Sequence, residues 1–291
     1  MDISVKIAVS MLAYVLLAPF IGGFLAGLDR KITARMQGRK GPSVWQAFYD
    51  VRKLFNKETL IVNRTQYIYV ICFLVMMILT GALFYGGFDI LLVFFILTTA
   101  ALFFVFAGAS TNAPVATMGA QRELAQMLSY EPMLIVLAVG FYMATGSFLG
   151  REIVTADMPA IVKLPGIFIG FLSILTIKFR KSPFDLSTSH HAHQELVMGL
   201  STDISGKMYG IVELTHWYEN ILLYGVVALF FVYNSWWSIP ITLAALFLVF
   251  FFEILVDNVS ARVKWKTMVV FSWTVSFVAG GANLIVLQLM R

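Results

Sequence analysis

The chain has 291 residues, 59% of them hydrophobic and only 13% charged, with a net charge of +5 and a single cysteine. This composition excludes an ordinary water-soluble domain. One thiol also excludes an internal disulfide and a cysteine-ligated iron–sulfur cluster, which takes about four ligands. The expected fold class is an all-α polytopic membrane protein of about eight transmembrane helices plus a cytoplasmic amphipathic helix, with residues 1–291 forming a single integral membrane domain.

A helix needs about 20 apolar residues to cross a hydrocarbon core of roughly 30 Å. Eight runs qualify, at residues 4–26, 67–87, 89–110, 122–146, 164–180, 210–233, 237–257 and 267–289. The first lacks a basic leader and exceeds a signal-peptide core in length, so it reads as a retained span. In the connection that follows, Pro42 precedes Val44, Trp45, Phe48, Val51 and Phe55 at helical spacing, with Arg52, Lys53 and Lys57 interleaved. That pattern predicts an amphipathic helix lying on lipid headgroups or docking a soluble partner. Cys72 falls in the second run and reads as packing.

Carboxylates inside apolar runs cost at least a few kcal/mol and are functional candidates by default. The fourth run holds Glu123 and Glu131, eight residues and about 12 Å apart along one helix. Pro132 removes a backbone hydrogen bond beside Glu131 and loosens the helix there. Beyond the fifth run come Asp185, His190, His191, His193, Glu195 and Asp203. Adjacent histidines do not match structural zinc spacing, so no metal is expected, whereas imidazoles suit a proton relay or pH-sensitive loop. In the sixth run Glu213 and Glu219 flank His216; in the seventh, Glu253 and Asp257 form an i,i+4 pair, with Asp257 expected to be hydrated or to face Lys264. Trp236 and Trp237 read as headgroup anchors.

Seventeen of the 21 Lys and Arg residues fall in or beside the first, third, fifth and seventh connections. By the positive-inside rule these connections are cytoplasmic and both termini face outward. The basic balance is thus explained without a nucleic-acid partner. No Gly-rich phosphate loop, nucleophile elbow or zinc-binding helix motif is present, so no catalytic residue is assigned. A stand-alone secondary transporter would use the buried acids for its substrate or coupling ion, but no internal repeat supports it.

Three stretches, DRKITARMQGRKGPSVWQAFYDVRKLFNKE, QRELAQMLSYEP and SPFDLSTSHHAHQELVMGLSTDISG, resemble the membrane subunit that forms the quinone chamber and acidic channel of respiratory complex I, and more closely the homologous membrane subunit of Ech-type energy-converting [NiFe] hydrogenases. The likeness covers nearly the whole chain. The R-x-G-P motif matches Arg39, Gly41 and Pro42, the SYE motif Ser129 to Glu131, the PFD motif Pro183 to Asp185, and E-L-V-x-G Glu195 to Gly199. Where the family often has Glu-Tyr, this chain has Asp203 and Ile204. Either Glu213 or Glu219 could stand for the family's sixth-span carboxylate. The SHHAH insert follows the hydrogenase branch and argues against a quinone site.

The resemblance implies a membrane anchor and coupling subunit in the cell membrane. Expected partners are hydrophilic hydrogenase large and small subunits, an iron–sulfur subunit and an antiporter-like membrane subunit, within the lipid bilayer. It implies no cofactor in this chain, with the [NiFe] centre and iron–sulfur clusters in partner subunits and ferredoxin as electron donor. Glu123, Glu131, Asp185, Glu195, Asp203, Glu213, Glu219 and Glu253, with the three loop histidines, form the expected proton path. Arg35, Arg39, Gly41, Pro42, Trp45, Asp50 and Lys53 form the expected docking surface. A quinone-reducing complex of the same architecture is the alternative.

Overall fold

The computed structural model describes residues 3–59, 63–184 and 198–290. Among these the chain is helical without strands, in chain order α1 (Ile3–Met36), α2 (Gln46–Phe55), α3 (Arg64–Tyr85), α4 (Ile90–Ala109), α5 (Pro114–Thr145), α6 (Gly150–Val154), α7 (Ala160–Lys163), α8 (Pro165–Lys178), α9 (Gly206–Leu229), α10 (Ser238–Val259), α11 (Trp265–Val275) and α12 (Gly281–Leu289). Six helical segments among the described residues are long and apolar enough to cross a membrane, the last being α11 and α12 joined through a single π-turn at Ser276–Gly280. The chain is therefore a multi-pass membrane protein.

The other two predicted spans have physical explanations. The fifth is α8, only 14 residues long, about 21 Å at 1.5 Å per residue, preceded by the short helices α6 and α7. The sixth is α9, 24 residues long, whose centre carries Glu213, His216, Glu219 and Asn220 and so loses the apolarity of its neighbours. Both pack against several helices: α9 lies against α1, α2, α3 and α10, and α8 against α5, α10, α11 and α12.

Local signals begin and end the helices. Asn63 accepts from Thr65 N at the start of α3, and Asp89 accepts from Leu91 N and Leu92 N at the start of α4, satisfying amides that a helix terminus leaves unpaired. Pro114 and Pro165 open α5 and α8, where a missing N–H costs nothing. At the start of α8 the free amides of Gly166 and Ile167 donate to the side-chain oxygen of Asn283 on α12, at 2.7 and 3.1 Å. The last helix thus caps a helix more than a hundred residues earlier. Gly41 takes a left-handed φ of 70°, and a Cβ there would lie 2.7 Å from the Ala34 methyl. The R-x-G-P glycine is therefore what lets the chain fold back along the end of α1.

In hydrocarbon a proline inside a helix leaves the carbonyl four residues earlier without its donor, and no water replaces it. Pro19 in α1 frees the Val15 carbonyl, which accepts the Tyr218 hydroxyl at 2.7 Å. Pro132 in α5 frees the Leu128 carbonyl, which accepts the Trp273 indole N–H at 3.0 Å. The opening expected at Pro132 is thus filled by an aromatic donor from α11. Tyr14 donates in turn to the Tyr218 carbonyl at 3.0 Å and stacks on Tyr85 with ring centroids 5.0 Å apart, tying α1, α3 and α9 together.

These donors lead to a direct test. Tyr218→Phe should lower the stability of the purified assembly by about 1–3 kcal/mol, the cost of an unsatisfied buried carbonyl. Adding Pro19→Ala, which restores a backbone donor to Val15, should recover a large part of that loss. Thermal unfolding in detergent of the two single variants and the double variant measures it.

Candidate functional site

α8 ends in the sequence Lys178-Phe179-Arg180-Lys181, and these three cations diverge to three different helices. Lys178 Nζ donates to Glu219 Oε1 of α9 at 3.0 Å, with both side chains almost fully buried. Arg180 Nη2 donates to Glu123 Oε1 of α5 at 3.2 Å. Lys181 Nζ lies 2.8 Å from Asp29 Oδ2 of α1. Arg180 takes a left-handed φ of 57°, which costs a non-glycine residue about 1–2 kcal/mol and turns the chain off the α8 axis. In the sequence all three count only as charges at the cytoplasmic end of the fifth run, in or beside the fifth connection. They serve as counter-ions, Lys178 and Lys181 buried and Arg180 half-buried, and the seventeen cytoplasmic-side charges less these three still outnumber the four on the opposite side.

Glu123, Lys178, Arg180 and Glu219 line one cavity together with Gln126 and Tyr130, with room for about one water molecule. Lys178 also rests over the Tyr130 ring, 4.2 Å from its centroid. A second cavity, lined by Arg180, Glu213, Tyr209, His216 and Ser201, begins on the other side of the Arg180 guanidinium. There the Tyr209 hydroxyl hydrogen-bonds to Glu213. His216, which lines the second cavity, faces Glu219 of the first: its Nδ1 stands 3.5 Å from the second carboxylate oxygen and makes no hydrogen bond among the described residues. Two ion pairs, a carboxylate with its tyrosine and an imidazole are therefore contiguous in a region walled by Phe73 and Phe104. In so low a dielectric the charge state of each member depends on the others, and small polar cavities between them can hold bridging water.

The remaining predicted residues separate into groups. Glu131 is half-buried one residue beyond Tyr130 and lines neither cavity. Asp203 is half-buried, its Oδ2 enclosed without a hydrogen-bond partner among the described residues. Glu253 is fully buried on α10. Asp257 is half-buried and accepts the backbone N–H of Ser182 at 2.8 Å, a partner not anticipated from the sequence. Asp185, His190, His191, His193 and Glu195 lie outside the described residues.

Both ends of the described chain around that stretch are fastened. Phe184 is buried and bridges to Val263, whose N–H donates to the Pro183 carbonyl at 2.7 Å. On the far side Leu200, fully buried, sits in a short 3-10 turn against α4 and α5. A Cβ on Gly119 would come within 2.3 Å of the Leu200 amide, so that glycine is what admits the turn.

The predicted docking residues form an exposed surface. Arg35, Arg39, Gly41, Pro42 and Lys53 are exposed, and Trp45 is 58% exposed. Arg39 donates to the Gln37 side chain, and Asp50 holds Arg30 at 2.6 Å and Gln46 at 2.9 Å. The amphipathic helix forms as α2, two residues later than Val44. It packs on α1 and α9 through Phe48, whose ring lies 5.3 Å from Trp217.

Sequence reasoning missed Asp29, Gln126, Tyr130, Lys178, Arg180, Lys181 and Tyr209. The signal available for the cations was the closeness of three bases to a span end in a chain whose spans hold several acids.

The NADH dehydrogenase family model matches residues 8–288. Among curated proteins, the chain is 27% identical to an NADH-quinone oxidoreductase subunit of Dehalococcoides mccartyi over 285 residues, covering 89% of this chain and 79% of that protein. It is 26% identical to hydrogenase-4 component C of Escherichia coli over 274 residues, covering 85% of each. Its fold matches a chain in the structure of the membrane-bound sulfane sulfur reductase, an archaeal respiratory membrane complex, with a TM-score of 0.84 and 23% identity over 97% of this chain and 99% of that one. With a family match across nearly its whole length and relatives that are components of multisubunit membrane oxidoreductases, the chain belongs to the NADH dehydrogenase family as a membrane subunit of a complex I-like oxidoreductase.

Proposed function

We propose that this chain is the membrane anchor and coupling subunit of an energy-converting hydrogenase, linking ferredoxin-driven proton reduction in a soluble [NiFe] module to proton or sodium translocation. The observation that carries the reading is the contiguous run Glu213, Arg180, Glu123, Lys178 and Glu219, bridged by His216 and enclosed by aromatic rings. A single proton added to or lost from one member redistributes the shared counter-charge of Arg180 and Lys178. The exposed Arg35–Lys53 surface with α2 is the dock for the soluble module on the cytoplasmic side, both termini facing outward. Its partners are the hydrogenase large and small subunits, an iron–sulfur subunit and an antiporter-like membrane subunit, and the metal centres reside in them.

In sequence, Arg180 leads directly into the segment from Asp185 to Asp203 that carries His190, His191, His193 and Glu195, which in this scheme relays the signal. A redox event at the dock alters that segment, Arg180 responds at its N-terminal side, and the carboxylates exchange protons. Glu131 and Glu253 extend the path beyond the two cavities. Similarity to hydrogenase-4 component C supports the hydrogenase branch. Similarity to the NADH-quinone oxidoreductase component supports a second reading, the same architecture serving a quinone in a cavity bounded by residues 39–58 and 183–203.

Affinity purification of the tagged chain in mild detergent separates the two. Co-purification of a [NiFe] large subunit with hydrogen evolution is expected; quinone reductase activity without it would favour the quinone reading instead. In vesicles, Glu123→Gln and Glu219→Gln should abolish most ion translocation while leaving the greater part of hydrogen evolution. Lys178→Met strands the Glu219 carboxylate and should cost about 3–5 kcal/mol of stability. Combining it with Glu219→Gln should restore stability but not translocation, which distinguishes a coupling role from a structural one.

A further inference from the structure

Glu253 stands apart from the cavities already described. It sits on α10 less than two turns from the end of that helix at Val259, with no solvent exposure, and neither carboxylate oxygen has a hydrogen-bond partner among the described residues. An ionised carboxylate left that way is among the most costly groups to bury. The groups that face it come from every helix packed on α10. Asp29 on α1, Lys181 just beyond α8 and Asp257 one turn along α10 act on it electrostatically, as Tyr224 on α9 does with both Asp29 and Glu253. Ser182, next to Lys181, is hydrogen-bonded to Asp257 at 2.8 Å, which holds the lysine's backbone beside the Glu253 turn.

Lys181 is the only cation in that set. Its ammonium is enclosed and lies 2.8 Å from Asp29, yet it makes no properly aligned hydrogen bond. Lysine is a compact charge on a flexible stem, so it can be drawn to a second carboxylate without any helix moving. Its position is governed by its neighbour in sequence, since Ser182 is held by Asp257 and Pro183 by Val263.

We propose that Glu253 is a proton-holding site whose occupancy is set by Lys181, poised between the carboxylates of Asp29 and Glu253. In one state Lys181 pairs with Asp29 and Glu253 is a neutral acid. In the other Lys181 pairs with Glu253, which has lost its proton, and Asp29, deprived of its cation, takes one up. Net charge is the same in both. Asp29 has about a quarter of its side chain exposed and can exchange that proton with water, so the pair passes a proton between the buried and the wet side of α1. The assignment deepens the coupling reading and rests on it for its role in the complex.

Infrared spectroscopy of the whole purified assembly at neutral pH tests it, because the carbonyl stretch of a protonated carboxylic acid is distinct from that of a carboxylate and shifts in D2O. The difference between wild type and Glu253→Gln should contain one such band. Asp29→Asn releases Lys181 to Glu253 and should remove the band; Lys181→Met should preserve it. No band in the wild-type minus Glu253→Gln difference, or a band that survives Asp29→Asn, overturns the proposal. If Glu253→Gln fails to assemble, the contrast between Asp29→Asn and Lys181→Met still decides, with loss of the band in the first alone as support and any other pattern as refutation. The readout is independent of hydrogen evolution and ion transport, so failure of the hydrogenase reading would leave it standing, and its own failure would leave that reading intact.

Discussion

Charges inside a bilayer have to be neutralised by something close at hand, and in this protein the neutralising groups come from one short stretch of chain. Lys178, Arg180 and Lys181 issue from the end of α8 and meet acids on α9, α5 and α1. A helix of 14 residues is too short to span the hydrocarbon core unaided, and its shortness is what brings its terminal cations to the level of the buried Glu123 and Glu219 and the half-buried Asp29. The rest follows from that placement: α5 and α9 must approach α8 closely enough to share a cavity, and the left-handed turn at Arg180 must direct successive side chains to different partners. Buried ion pairs are weak stabilisers compared with apolar packing of equal volume. Their persistence here is better understood as a fixed arrangement of charge than as a source of stability.

Polar satisfaction follows a second consistent pattern. Each helix-interior proline discussed above exposes one carbonyl, and in each case an aromatic side chain from a helix remote in sequence donates to it. The same logic holds at the start of α8, where Asn283 serves as a cap supplied from α12. In hydrocarbon a freed backbone group needs a protein partner, and the fold supplies it by cross-links between helices at its own backbone defects. They fix relative helix positions more firmly than apolar contact could, as apolar side chains in lipid gain little from choosing one neighbour over another.

Much of this architecture was legible in the sequence because the bilayer imposes length and apolarity on each span. The eight apolar runs, the amphipathic α2 and the buried carboxylates Glu123, Glu219 and Glu253 all follow from that constraint. What was not legible depends on pairing across long separations. Lys178 and Glu219 are 41 residues apart, and Trp273 is 145 residues from Leu128. A count of charges by membrane side gives Lys178 no partner, because hydropathy alone cannot distinguish a lysine that snorkels from one folded inward. Pro132 announces a defect in its helix, but not the indole that repairs it. The Ser182 amide that Asp257 accepts was not legible either, because no side-chain pattern reveals a backbone donor.

The clamp between Ser182–Phe184 and the α10–α11 corner joins two regions that differ in their surroundings. Asp257 lies on α10 and Val263 in the connection to α11, outer helices whose apolar faces include the exposed Val259 and Val270. Ser182 and Pro183 belong to the strand of chain that leaves the ion-pair centre. Force applied by a neighbouring protein to that outer corner would be delivered through two short hydrogen bonds, 2.8 and 2.7 Å long, to the residues adjoining Lys181. The corner acts as a lever arm with its fulcrum in the bundle and its short end at the buried charges, so small displacements at the periphery are transmitted to the one place where electrostatic energy changes most steeply with distance.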